Sequence, residues 1–201
     1  NRPNSEMNDS TMIEIPWYIP KFLHKKILEI KLANTGPKSF EEYRKLQILN
    51  SPSFFAKYYR ERVNRNDGYE EERFYSQFRI GTIMRNLEEP WAQTQQELLK
   101  AYAMDPLRAE PIKAIIDYYL QVGEWSLAYL YTKFAKVNFH QRNPYPTRLL
   151  FVDEALYVWK FAEAHAAACF YTGRMDEAKA NYQDILKAMK THPHCFTPED
   201  L

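Results

Sequence analysis

The sequence predicts an all-α protein built of helix pairs stacked in a row, and three observations carry that expectation. Apolar residues recur at spacings of three and four in every long segment, and no segment alternates as a half-buried strand would. Five glycines in 201 residues are few for an all-β chain, which needs many tight turns. Ala101 and Ala135 stand 34 residues apart, each late in the second helix of a pair.

The elements follow in order. Residues 1–20 read as an extended or disordered arm, because Pro16 and Pro20 preclude a regular helix before Lys21. In KFLHKKILEIKL, Phe22, Leu23, Ile27 and Ile30 share one helical side, and Gly36-Pro37 stops the run. Ser39-Phe-Glu-Glu42 is a capping box opening a helix striped by Tyr43, Leu46 and Leu49. Ser51-Pro52 opens the next, since proline suits a first helical position; it carries Phe54, Phe55, Tyr58, Tyr59 and Val63 and ends at Asn66-Asp67-Gly68. Together these form N-terminal helices over 21–67.

Helices are then expected near 70–87, 90–104, 108–122, 124–137, 153–172 and 174–190, about ten in the whole chain. Pro90, Asp105-Pro106, Gly123 and Gly173 mark the short connections. A proline-bearing loop at 138–152 interrupts the series, and residues 191–201 read as a frayed polar tail. Glu70-Glu71-Glu72 reads as a solvated helix entry, where negative charge suits the dipole.

The 34-residue spacing is the period of tetratricopeptide repeats. Ile112, Ile115, Ile116 and Tyr119 occupy the slots of that family's first helix, Gly123 makes the turn and Ala128 takes the small-residue site. Gln77, Ile80-Gly81 and Met84 fill the same slots earlier. Ala162, His165-Ala166 and Cys169 fill them later, followed by Gly173, Ala178 and Tyr182. Residues 68–190 thus resemble tetratricopeptide-like repeats, which implies a right-handed superhelical stack of antiparallel helix pairs with N-terminal capping helices. A non-repeating helical bundle with the same turns is the alternative.

GYEEERFYSQFRIG (68–81), LLKAYAMDPLRAEPI (98–112) and LLFVDEALYVWKFAEAHAAACFYTGRMDEA (149–178) carry a closer resemblance. They are similar to a tetratricopeptide-like region found downstream of family 2-like glycosyltransferase domains. The resemblance covers about 55–190 and implies a sugar-transfer domain upstream in the native polypeptide, in keeping with a start at Asn1 that suggests a piece of a longer chain. It does not imply that activity here. Glycosyl transfer of that type usually relies on an Asp-x-Asp metal motif in an α/β domain, and the sequence has neither that motif nor a parallel-strand pattern.

Other chemistry is equally thin. The 27 basic and 26 acidic residues balance to +1, without the basic excess of a nucleic-acid binder. No run approaches the apolar length of a membrane span. Two cysteines are too few for a disulfide framework, Cys169 reads as a buried thiol, and with no secretion signal at the start a cytoplasmic location is expected. His192, His194 and Cys195 are close in sequence but lack obvious further metal ligands, and His165 reads as a packed histidine. No catalytic residue, cofactor or metal is expected.

The surface of interest is the side of each first helix turned away from the core, which in a stacked array lines a concave groove. It comprises Tyr75, Phe78, Arg79, Thr82 and Asn86; then Glu110, Lys113, Asp117 and Gln121; then Lys160, Glu163 and Phe170. Aromatics mixed with both charge signs suit an extended peptide or a glycan acceptor. Lys113 is available for a terminal carboxylate, but Asp117 one turn on opposes one. The leading expectation is a non-catalytic scaffold of a glycosyltransferase polypeptide, its partner a protein, a glycan acceptor or the adjoining catalytic domain. The runner-up is a free-standing adaptor for a protein peptide, and packing of this face against another domain of the parent chain is a further alternative.

Overall fold

The computed structural model describes residues 52–65, 69–140 and 152–197. The arm at 1–20, the capping box at Ser39, the helices expected before Ser51, the turn at 66–68 and most of the loop at 138–152 lie outside them. Among the described residues there are seven α-helices and no strand. They are α1 (Pro52–Asn64), α2 (Glu70–Asn86), α3 (Trp91–Met104), α4 (Glu110–Gln121), α5 (Trp125–Asn138), α6 (Phe161–Tyr171) and α7 (Met175–Thr191). A π turn at Leu156–Lys160 leads into α6, and a 3-10 turn at Pro193–Cys195 follows α7.

Each helix packs on the next, and α2 also meets α4, as α4 meets α6. The reason lies in the slots read from the sequence. Ile80, Ile112, Ile115, Ile116, Ala162 and Ala166 are all at most 2 % exposed, as are Ala101, Ala128 and Ala135 on the facing helices. Full burial of an isoleucine side chain is worth about 1.5–3 kcal/mol, so this row alone supplies much of the adhesion between hairpins. Gly81 shows why a small residue belongs at a crossing. A β-carbon there would stand 2.6 Å from Leu98 Cδ2 and 2.7 Å from Leu98 Cγ.

Three helices finish in one way. At the end of α2, Glu89 N–H donates to Met84 O (3.0 Å) and Glu88 N–H to Arg85 O (3.0 Å). At the end of α4, Glu124 N–H reaches Tyr119 O (3.0 Å) and Gly123 N–H reaches Leu120 O (3.3 Å). At the end of α6, Arg174 N–H reaches Cys169 O (2.8 Å) and Gly173 N–H reaches Phe170 O (3.1 Å). This is a Schellman closure, and its left-handed residue is Glu88 (φ 56°), Gly123 (φ 76°) and Gly173 (φ 78°) in turn. The steps from 88 to 123 to 173 equal those from Gln77 to Ile112 to Ala162 along the packing slots.

Tryptophans repeat too. Trp91 opens α3 and stacks on Tyr118 of α4, centroids 3.5 Å apart. Trp125 opens α5 and stacks on Tyr171 of α6 at 3.9 Å. In α6, Phe161, Ala162, Ala164, His165, Ala166, Ala168 and Cys169 are all buried, leaving one exposed stripe through Glu163 and Phe170.

Three expectations need correction. Glu72 is no solvated entry charge, because it pairs with Arg62 of α1 at 3.2 Å, and Arg62 is 3 % exposed. Tyr182 does not fill a packing slot. It is 52 % exposed, while Asn181 beside it is buried, so α7 turns a different face inward. The start of the tail is not frayed. Cys195 O accepts the Trp159 indole N–H at 2.9 Å and Phe196 stacks on that indole at 4.8 Å.

Candidate functional site

The residues expected to line a groove lie on α2, on α4 and on and just before α6. Burial leaves them a narrow strip: on α4, Ile112, Ala114, Ile115, Ile116 and Tyr119 are buried, and on α6 one stripe alone is exposed. On α2, Phe78 and Thr82 are half-buried, and Tyr75 lies tilted against Phe78 at 6.5 Å. Thr82 turns its hydroxyl back to Arg79 O at 3.0 Å. Arg79 is half-buried, and its Nε is buried without a hydrogen-bond partner. Asn86 is exposed at the end of the helix.

On α4, Lys113 and Asp117 pair with each other one turn apart. That pairing neutralises the lysine as an anchor for a terminal carboxylate. Gln121 accepts a hydrogen bond from Arg85 Nη2 at 2.7 Å, while Arg85 Nη1 donates to Ala114 O at 3.3 Å. Arg85 thus joins α2 to α4 across the face. Helical spacing alone does not separate it from Asn86, since both stand about one turn beyond Thr82.

Glu110 does not belong to this face. It is 8 % exposed and forms a fork with Arg108, whose Nη2 and Nε lie 2.8 Å and 3.0 Å from its carboxylate oxygens. Arg108, 1 % exposed, also lies over the Phe74 ring at 4.6 Å. A charged residue at the first turn of a helix looks solvent-facing in sequence. Only the fold reveals a buried cation two residues earlier. On the α6 side, Lys160 pairs with Asp153 at 2.8 Å, and Glu163 and Phe170 are exposed.

A second cluster lies between α5, α6 and α7, with His165 and Cys169 buried and Glu177 half-buried. His165 and Cys169 lie one turn apart on α6, and Glu177 comes from the first turn of α7. His165 Nε2 is 2.9 Å from Glu177 Oε1 and 3.6 Å from Cys169 Sγ. On its other side, His165 Nδ1 is 2.8 Å from Thr132 Oγ1. Tyr129 donates its hydroxyl to Glu177 Oε2 at 3.1 Å, and its ring stacks on the imidazole. Burial pushes the His165 pKa down despite the carboxylate beside it. Burial, reinforced by Glu177, pushes the Cys169 thiol up to about 11. The His165 hydrogen bond holds Glu177 below the usual carboxylate range. A thiol so disposed is a poor nucleophile.

Among the described residues, no helix is long and apolar enough to cross a membrane. Comparison with family models, with curated proteins and with solved structures finds no match to this chain.

Proposed function

We propose that this chain is a non-catalytic helical-repeat scaffold that holds a partner along the face formed by α2, α4 and α6. The observation that carries the reading is recurrence: one helix closure at Glu88, Gly123 and Gly173, in step with the buried slots around Gly81, Ile116 and Ala166. Helix pairs that repeat in this way stack into a right-handed superhelix of the tetratricopeptide kind, whose first helices line an inner groove. The α2–α4 and α4–α6 contacts support that arrangement.

The groove would present aromatic edges from Tyr75 and Phe78, the Arg79 guanidinium, the Lys113–Asp117 pair and Gln121. That surface suits an extended chain recognised by several weak polar contacts, not a single charge. The non-catalytic half of the reading draws support from the chemistry of Cys169 and His165, which face one another inside the core. A sugar-transfer enzyme, or its acceptor, is the partner proposed, on the resemblance read from the sequence of residues 55–190 to regions that follow family 2-like glycosyltransferase domains. The location proposed is cytoplasmic, on the cysteine usage read from the sequence.

The test is affinity capture with the wild-type chain and with Arg79→Glu combined with Lys113→Glu. Loss of a sugar-transfer enzyme or its acceptor from the variant's catch, with helical content preserved, is the expected result. Equal recovery by both chains would remove the groove from the reading. Turnover of a labelled nucleotide sugar by residues 1–201 alone would remove the non-catalytic part.

A further inference from the structure

We propose that His165, Cys169 and Glu177 form a binding site for one thiophilic divalent cation, of which zinc is the type. Imidazole, thiolate and carboxylate are the donors such an ion takes, and their three ligand atoms lie within 4.8 Å of one another. Tetrahedral coordination at ordinary bond lengths spaces nitrogen and sulfur ligands about 3.6 Å apart and nitrogen and oxygen ligands about 3.3 Å apart. The observed 3.6 Å from Nε2 to Sγ meets the first. The 2.9 Å from Nε2 to Oε1 needs a small opening, and the Glu177 side chain, 39 % exposed, has room to give it. The same exposure provides the way in and a fourth position for water.

The outer partners are those of a metal ligand set. Tyr129 holds the second Glu177 oxygen, and Thr132 holds the second His165 nitrogen. Thr132 serves both protonation states. Its oxygen stands 2.8 Å from Nδ1 and 3.1 Å from Tyr129 O. Donating to Nδ1, it leaves the proton on Nε2, which then bonds Glu177. Turned to Tyr129 O, it accepts Nδ1–H and frees the Nε2 lone pair for an ion.

The proton balance is simple. A neutral His165 only exchanges tautomers, while Cys169 loses its thiol proton to solvent as the sulfur–metal bond forms. The site starts at −1 from the Glu177 carboxylate, gains +2 from the ion and loses +1 with the thiol proton, so the loaded site is neutral and there is no redox step. One proton released means that apparent affinity rises about tenfold per pH unit below the thiol pKa. The charged groups facing the cluster are Lys133 and Lys136 of α5, Arg174 ahead of α7 and Glu177 itself. The three cations oppose the incoming ion, so affinity also rises with ionic strength.

Cobalt(II) is the probe, added to the full chain under a non-thiol reductant. The expected result is a thiolate-to-cobalt absorption band in the near ultraviolet, saturating at one ion per chain and bleached by zinc. The chain has two cysteines, so Cys195→Ser leaves Cys169 as the sole thiol without touching the site, and that variant keeps the band. It also removes the thiol of the other cysteine-bearing trio, Glu154, His194 and Cys195. Cys169→Ser loses the band, and Tyr129→Phe weakens binding by about 10- to 100-fold. No band in the wild-type chain, its loss in Cys195→Ser, or its survival in Cys169→Ser overturns the assignment.

Discussion

Glu88 ends α2 in the left-handed backbone conformation, φ 56°, that Gly123 adopts at φ 76° to end α4. The hydrogen bonds around the two are the same, so the closure tolerates a side chain at a steric disadvantage. A left-handed residue other than glycine is disfavoured by about 1–2 kcal/mol. Glu88→Gly is therefore expected to stabilise the protein by about 1 kcal/mol, and Gly123→Ala to destabilise it by a similar amount. Urea midpoints of the two variants measure both, and a destabilised Glu88→Gly would contradict the shared closure.

Gly81 and Leu98 form a matched pair of small and large. The missing β-carbon at Gly81 is what lets Leu98, fully buried, occupy the crossing. Gly81→Ala should destabilise by about 1–3 kcal/mol, as overpacking does. Adding Leu98→Ala in the same chain should recover part of that loss relative to Leu98→Ala alone. A double-mutant cycle with no coupling between the positions would show that the crossing is looser than the distances indicate.

Removal of Glu110 should be felt strongly. Its carboxylate is the fork partner of Arg108 in a buried place, and a buried cation left without its anion typically destabilises by about 3–5 kcal/mol. Glu110→Ala is expected in that range by chemical denaturation. An exposed groove residue would give a change near zero.

Acid sensitivity should centre on His140. Burial, with Lys136 adding to it, lowers its pKa to about 4, and both ring nitrogens are buried without hydrogen-bond partners. The unfolded chain takes up a proton near pH 6.5 while the folded chain does not. Stability is therefore full above pH 6.5 and falls progressively as the pH drops towards 4. His140→Leu should flatten the profile in that window, measured by urea unfolding at stepped pH. A parallel profile in the variant would place the proton uptake elsewhere.

Helix positions were legible in the sequence because periodicity and turn chemistry are local. The expected segment 124–137 is α5 at 125–138, and 174–190 is α7 at 175–191. Ile115, Ile116 and Ala128 were readable as core for the same reason: an apolar stripe declares its own side. Polar residues do not. Glu72 and Glu110 found buried cations, and Arg85 found a carbonyl on the neighbouring helix, none of which a spacing can announce. Asn181 replaced Tyr182 on the inner side of α7 through its bonds to Glu177 O and Lys136. The convergence of His165 and Cys169 with Glu177 needed two helices to meet before it could be seen.

The near-complete enclosure of α6 also bears on motion. Its alanines act as spacers, letting neighbours close in on most of its circumference. No local fluctuation can then bare its amides without parting the hairpins around it. In deuterated water this helix should be the last to exchange, and its rate should report the opening of the whole assembly.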